Sequence, residues 1–398
     1  MSRQELIISI ILVGVVLAGG VIFQKAQAPG YLDKPYFKEK ILFDTYVFIK
    51  AYGKNRQKVE NGVSKAFEEM EKLDRSMNYF DDASELSKIN RTADKKKMKV
   101  SKALLDIISL SKMYEKKTGE AFNIAIGPVM DLWSFGEKEN VPTSKELESR
   151  LSLVDMEGLK TEPENSTLWF EKKGMKLDLG GVAKGYAVDK AVKVLKSSGI
   201  SQALISAGSS TTVIDSKPGQ RGWKIGIKHP RKKGDTILGT LLLKNKNIST
   251  SGDYQQFFKR DHKRYHHILD PKTGQPAQGI ISATIITSRH AAEADILSTA
   301  IFVMGYQLGI KFLDQHKDLE GIIVTSDGKI HLSSGLKRNL SVFPKNIKNR
   351  PGPARLLGLS VSFGDVADYR QFPALSLVRA NHKHNPHDKE HYPGGKPQ

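Results

Sequence analysis

Leu177-Asp178-Leu179-Gly180-Gly181-Val182-Ala183-Lys184-Gly185-Tyr186-Ala187-Val188-Asp189 is where strand-like periodicity gives way to helical periodicity, and it decides the fold. Residues 175–179 read as a strand paired with 168–170 across the Lys173-Gly174 turn. Residues 183–198 carry apolar side chains at helical spacing and close at Gly199. The bare glycines between them let backbone come close to a ligand. A helix N-terminus there offers free N–H groups and the positive end of its dipole. Lys184, in the first turn, adds a mobile cation suited to phosphate. The spacing is neither a Walker loop nor a Gly-x-Gly-x-x-Gly fingerprint. A tight turn with a surface lysine fits the same residues.

Working outward, residues 41–52 alternate and are rich in β-branched and aromatic side chains, which predicts one strand ending at Gly53. Residues 59–73, 101–117 and 144–151 predict amphipathic helices. Strand-like runs follow at 203–206, 223–227, 237–243 and 280–286. Residues 291–304 predict a helix rich in small residues, and 321–332 a hairpin around Ser326-Asp327-Gly328. Helices and strands mix without a βαβ repeat, so the fold class is α+β.

The chain has 398 residues, 39% of them hydrophobic and 26% charged, as in globular proteins. The net charge of +19 suits an anionic partner, but basic residues are scattered and no nucleic-acid-binding signature is present. We expect no nucleic acid. The absence of cysteine excludes disulfides, a thiolate nucleophile and thiolate-held metal. Residues 6–23 form an uncharged, mostly aliphatic run, about 27 Å long as a helix, close to a bilayer core. Ala26-Gln27-Ala28 fits a small-x-small cleavage site. Residues 1–28 therefore read as a membrane anchor or a signal peptide, 29–40 as a linker, 41–343 as one domain and 344–398 as a disordered, polar tail. The expected place is the outer face of the cell membrane, or the exterior if the segment is cleaved.

Two further blocks carry chemistry. Ser249-Thr250-Ser251-Gly252-Asp253-Tyr254 precedes Arg264-Tyr265-His266-His267-Ile268-Leu269-Asp270-Pro271. Neighbouring histidines on a strand face opposite ways, so at most one faces a site, where it could serve as a general base. In Ala291-Ala292-Glu293-Ala294-Asp295-Ile296-Leu297-Ser298-Thr299, Asp295 and Thr299 share a helix face. Carboxylate plus hydroxyl suits a hard cation such as Mg²⁺, although such a pair is also an ordinary polar face.

Together these blocks resemble the ApbE family of FAD:protein FMN transferases over about residues 43–340. Phe43-Asp44-Thr45, the loop at 77–90, Gly119-Glu120-Ala121-Phe122-Asn123 and Leu132-Trp133-Ser134-Phe135-Gly136 match further blocks in the family's order. The resemblance implies a single ApbE-type, T-fold-like α+β domain with mixed sheets and packed helices, preceded by the N-terminal hydrophobic helix. It implies Mg²⁺-dependent cleavage of FAD, transfer of FMN to a threonine hydroxyl of a partner protein, and release of AMP. Acceptors would be flavoprotein subunits of membrane or exported electron-transfer systems. By the same resemblance Phe43, Tyr79, Ala121, Phe122, Asn123, Asp178, Lys184 and Ile268 contact FAD. Gly181, Asp295 and Thr299 hold the metal. His267 is the base, and Asp295 joins it in catalysis. Alternatives at the same site are an FAD pyrophosphatase giving FMN and AMP, or a non-catalytic flavin-binding protein. The family's usual Met, Phe-Asp and Gly-Gly are Phe43, Phe122-Asn123 and Gly208-Ser209 here.

Overall fold

The structure is a computed structural model that describes residues 34–339, apart from 136–138 and 233–235 and the side chains of 337–339. The 1–28 segment and the 344–398 tail lie outside the described residues.

The central element is an eight-stranded antiparallel sheet whose strands lie side by side in chain order. They are β1 (Tyr36–Leu42), β2 (Thr45–Tyr52), β3 (Gln202–Ala207), β4 (Ser210–Ile214), β5 (Lys246–Gly252), β6 (Ile280–Thr287), β7 (Leu319–Thr325) and β8 (Ile330–Leu332). In β2 the buried residues Val47, Ile49 and Ala51 alternate, as expected of one face on a core. Every residue of β6 is buried, because both of its faces are covered.

One face carries three helices: α1 (Arg56–Met77), α2 (Ala183–Ser197) and α3 (Ala291–Gln315). Their apolar faces meet the sheet through Val63, Phe67, Met70, Val188, Leu195, Ile296 and Phe302, all buried. Each such side chain contributes about 1.5–3 kcal/mol by leaving water. A hairpin, Trp223–Lys228 with Ile237–Leu243, covers the opposite face over Leu204, Val213, Ile286 and Ile322.

Three sequence expectations change. Residues 41–52 are two strands, not one, and β1 starts at Tyr36, inside the stretch read as a linker. The turn between them, Phe43-Asp44, has no glycine to betray it, yet both residues adopt positive φ (53° and 52°). Residues 175–179 are not a strand. Thr167–Phe170 pairs instead with Leu159–Glu162 and Met98–Lys99. Leu177 N–H is bonded to the Asn90 side chain at 2.8 Å, and Leu177 carbonyl accepts from that same amide at 2.9 Å. The helix at 291–304 runs on to Gln315, with a break at Gly305 (φ 78°, ψ 174°) where the prediction stopped. It is apolar and long enough to cross a membrane, but its first half is packed on β5, β6 and β7.

Candidate active site

The helix α2 starts at Ala183 with no side-chain cap. One of its orphan first-turn donors finds a partner across the core: Gly185 N–H donates to Asp295 Oδ2 at 3.0 Å. The favour is returned. Asp189 of α2 accepts from the first-turn N–H groups of Ala291 and Ala292 of α3, at 2.8 and 3.0 Å. Each helix thus caps the other. The geometry needs glycine at 185, since a Cβ there would lie 2.4 Å from the Ala291 carbonyl oxygen.

Asp295 is 3% exposed and sits in a cage of hydroxyls. Ser210 of β4 and Ser249 of β5 both donate to Oδ1, at 2.9 and 3.0 Å. Three of the roughly four acceptor positions on an ionised carboxylate are then used, which leaves one on Oδ2. Thr299 Oγ1 lies one turn further, 3.1 Å from Ser251 Oγ, which is itself 2.8 Å from Ser298 Oγ. Gly181 closes this corner: a Cβ there would meet Phe122 at 2.9 Å and Thr299 Oγ1 at 3.4 Å. The glycine-rich turn, Phe122 and the Asp295/Thr299 face therefore form one corner. Among the described residues no group of three or more His, Asp or Glu forms a metal cage, so any cation here would rest on mixed oxygen donors.

Next to this corner, Asp178 accepts from Gly180 N–H at 2.7 Å, and Lys184 Nζ donates to the Gly180 carbonyl at 2.6 Å. Burial pushes the Asp178 carboxyl up, opposed by the Gly180 N–H and the Lys184 charge. Tyr79 donates its hydroxyl to Asp131 at 2.6 Å, and Lys176 holds the other oxygen of Asp131 at 2.6 Å. Burial, then Asp131, push the phenol above its ordinary range. Asn123 caps a short turn by accepting from Ala125 N–H at 2.8 Å, a role its amide fills as an aspartate would. Ala121 and Ile268 are buried in the main core. Phe43 lies on the β1–β2 turn, packed against the main core, its N–H bonded to Asp74 of α1 at 2.9 Å. At the Gly208-Ser209 turn, close approach is confined to Gly208, where a Cβ would meet Thr45 Oγ1 at 2.6 Å.

The two histidines differ in place: His266 ends its strand and His267 lies just past it. His266 is 4% exposed and edge-on to Phe302, with Nε2 on the Ala277 carbonyl at 3.0 Å and Nδ1 accepting from Ile268 N–H. It is a core residue. His267 lies near enough to Lys184 to feel its charge, with Nδ1 on the Gln256 carbonyl at 3.1 Å. A carbonyl only accepts, so Nδ1 carries the hydrogen and Nε2 presents a lone pair. Burial lowers its pKa to about 4, with the Gln256 carbonyl pulling the other way and Lys184 adding to the fall.

The sequence model of the ApbE family matches residues 43–323. The chain belongs to the ApbE family. A relative from Klebsiella pneumoniae (strain 342), named FAD:protein FMN transferase, is 28% identical over 303 residues, which is 76% of this chain and 93% of the relative. A protein of the same name from Treponema pallidum (strain Nichols) is 28% identical over 76% of this chain and 88% of its own. Among solved structures, the ApbE protein of Thermotoga maritima superposes with a TM-score of 0.71 at 32% identity, covering 77% of this chain and 99% of that one. The flavin transferase ApbE from Vibrio cholerae gives 0.67 at 26% identity, covering 77% and 99%. The α+β ApbE fold expected from the sequence is thus the fold of this chain.

Several residues around the site escaped the sequence reading. Ser210, Ser298 and Gly185 cage Asp295 and Thr299 from three separate elements, and the Gln256 carbonyl sets the His267 tautomer. One signal was available: Ser249 and Ser251 alternate on one face of a strand.

Proposed function

We propose that this enzyme is a transferase that moves FMN from FAD to a hydroxyl side chain of a partner protein, a threonine, and releases AMP. The observation that carries the reading is the single corner built from Gly181, Phe122, Asp295 and Thr299, flanked by Lys184 and His267. The relatives named for this reaction support it.

The donor set suits Mg²⁺: one remaining acceptor position on Asp295, the Thr299 hydroxyl and backbone oxygen at Gly181, with substrate phosphate and water completing a hard-oxygen shell. Bound there, Mg²⁺ would neutralise charge on the pyrophosphate. The chain's own groups do the rest. Lys184 answers the phosphate charge, aided by the first turn of α2. Phe122, Tyr79 and Phe43 offer ring faces to the flavin or adenine. His267 Nε2 takes the proton from the acceptor hydroxyl as its oxygen bonds to the FMN phosphorus. The bond from that phosphorus to the AMP oxygen breaks, and AMP leaves. Such transfer depends on charge neutralisation and in-line positioning.

Because His267 must be neutral to accept a proton, transfer holds above its pKa of about 4 and falls as pH drops through it. The unfolded side chain titrates at about 6.5. The folded state therefore loses stability as pH falls from about 6.5 towards about 4, where only the unfolded chain takes the proton. The deciding experiment incubates the protein with FAD, Mg²⁺ and a threonine-bearing acceptor, and looks for covalent flavin fluorescence on a denaturing gel. Free FMN and AMP with no flavin on the acceptor would sink transfer in favour of hydrolysis. The apolar 6–23 stretch supports a place on the outer face of the membrane, to be checked by protease access in intact cells.

A further inference from the structure

The strands Phe257–Arg260 and Lys263–His266 form a hairpin that leads directly into His267. Asp261 and His262 make its two-residue turn, both at positive φ. In its register Lys259 stands opposite Arg264, and Arg260 opposite Lys263. Both inner cross-strand pairs are therefore cation against cation, an arrangement that weakens a hairpin. Lys259, Arg260 and Lys263 are exposed. Arg260 reaches the Glu139 carbonyl at 2.8 Å and lies near the Phe258 ring, Lys263 lies near the Tyr265 ring, and Arg264 covers Phe257 at 3.6 Å within the field of Asp253. Arg264 also donates to the Asp253 carbonyl, while the Asp253 carboxylate is taken up by Arg231. Among the described residues none of the four cations makes an ion pair, and Asp261 is the single carboxylate on the hairpin.

The hairpin is also joined to the site. Gln256, the residue before its first strand, accepts from both the backbone N–H and the ring N–H of His267 through one carbonyl.

We propose that this basic hairpin docks an acidic segment of the acceptor protein and so presents the acceptor hydroxyl to His267. This rests on the transferase reading above. The two pairs face opposite sides of the hairpin, so an acidic segment wrapped over its tip would meet one pair on each side, relieve the repulsion built into the free hairpin and steer the encounter. A protein fits the place better than a lipid surface. The transferase reading already brings a protein to His267, which follows Arg264 by three residues in the chain.

The test uses three fluorescein-labelled peptides of equal length, each with one threonine flanked by Asp, Asn or Lys. Binding to the full-length, FAD-loaded enzyme is followed by anisotropy in EDTA, and flavin transfer by mass spectrometry in Mg²⁺. The Asp peptide is expected to bind about tenfold more tightly than the Asn peptide at low salt, with the Lys peptide weaker still and the differences shrinking at high salt. In Lys259→Glu/Lys263→Glu the order inverts, and in Lys259→Gln/Lys263→Gln it levels, with FAD affinity unchanged in both. Equal binding of the three peptides by the unsubstituted enzyme overturns the proposal, as does loss of FAD affinity in the Gln variant. So does a Gln variant that keeps the peptide order but no longer binds phosphatidylserine vesicles. Covalent flavin on none of the peptides counts against the transferase reading, whereas the binding order judges the hairpin, so the two failures are separate.

Discussion

Asp189 and Asp295 occupy matching positions: each caps the first turn of the other's helix. Yet their surroundings differ. Asp189 is half-buried, and its carboxylate goes to the N–H groups of Ala291 and Ala292. Asp295 gives one oxygen to a helix N–H and the other to two serine hydroxyls, with Thr299 a turn away. The first arrangement takes its hydrogen bonds from backbone donors, with His290 Nδ1 3.9 Å from the same carboxylate. The second places a carboxylate only 3% exposed among movable side-chain hydroxyls. Helix capping explains the first aspartate entirely and the second only in part, and the remainder is what marks a site.

Substitution can break this comparison. Asp295→Ala should lower FMN transfer on the order of 10³-fold, read as kcat/KM, because phosphate charge loses its counterweight. It should also cost roughly 1–3 kcal/mol in chemical denaturation for each donor left buried without an acceptor. Activity near that of the unsubstituted enzyme would strip Asp295 of any role beyond capping. Ser249→Ala should weaken Mg²⁺ binding about tenfold in calorimetry, as loss of a group that orients a ligand does. An unchanged affinity would make the hydroxyl cage a packing feature. Asp189→Ala is the control with the smallest effect on catalysis. It should cost about 1–2 kcal/mol of stability as a lost cap, while kcat/KM of the folded enzyme stays put. A large catalytic loss there would mean that the spacing of the two helices, not the chemistry of one aspartate, governs the site.

What the sequence could reveal follows the range of the interaction. Asp295 and Thr299 share a face because helical periodicity is local, so their pairing was legible. The same holds for the helix after Gly181. The cage was not legible, since Ser210 and Ser249 come from strands 85 and 46 positions away from Asp295. Residues 175–179 misled because their alternation is real but serves burial. Met175, Leu177 and Leu179 fill the core while the Asn90 side chain does the work of a neighbouring strand. The Phe43-Asp44 turn was hidden for a different reason. Positive φ there is held by its surroundings, such as the Phe43 N–H bond to Asp74, without glycine or asparagine to announce it.

The chain-order arrangement of the large sheet also has a temporal side. Every neighbouring pair of strands from β3 onward is made within a few dozen residues of synthesis, but β2 must wait for β3, about 150 residues later. At ribosomal speeds the open edge of β2 is left unpaired for on the order of ten seconds. An early hairpin with a bare edge invites pairing with the wrong chain. Lys38, Lys40 and Lys50 place charge on that hairpin, a device that discourages edge pairing with a second copy.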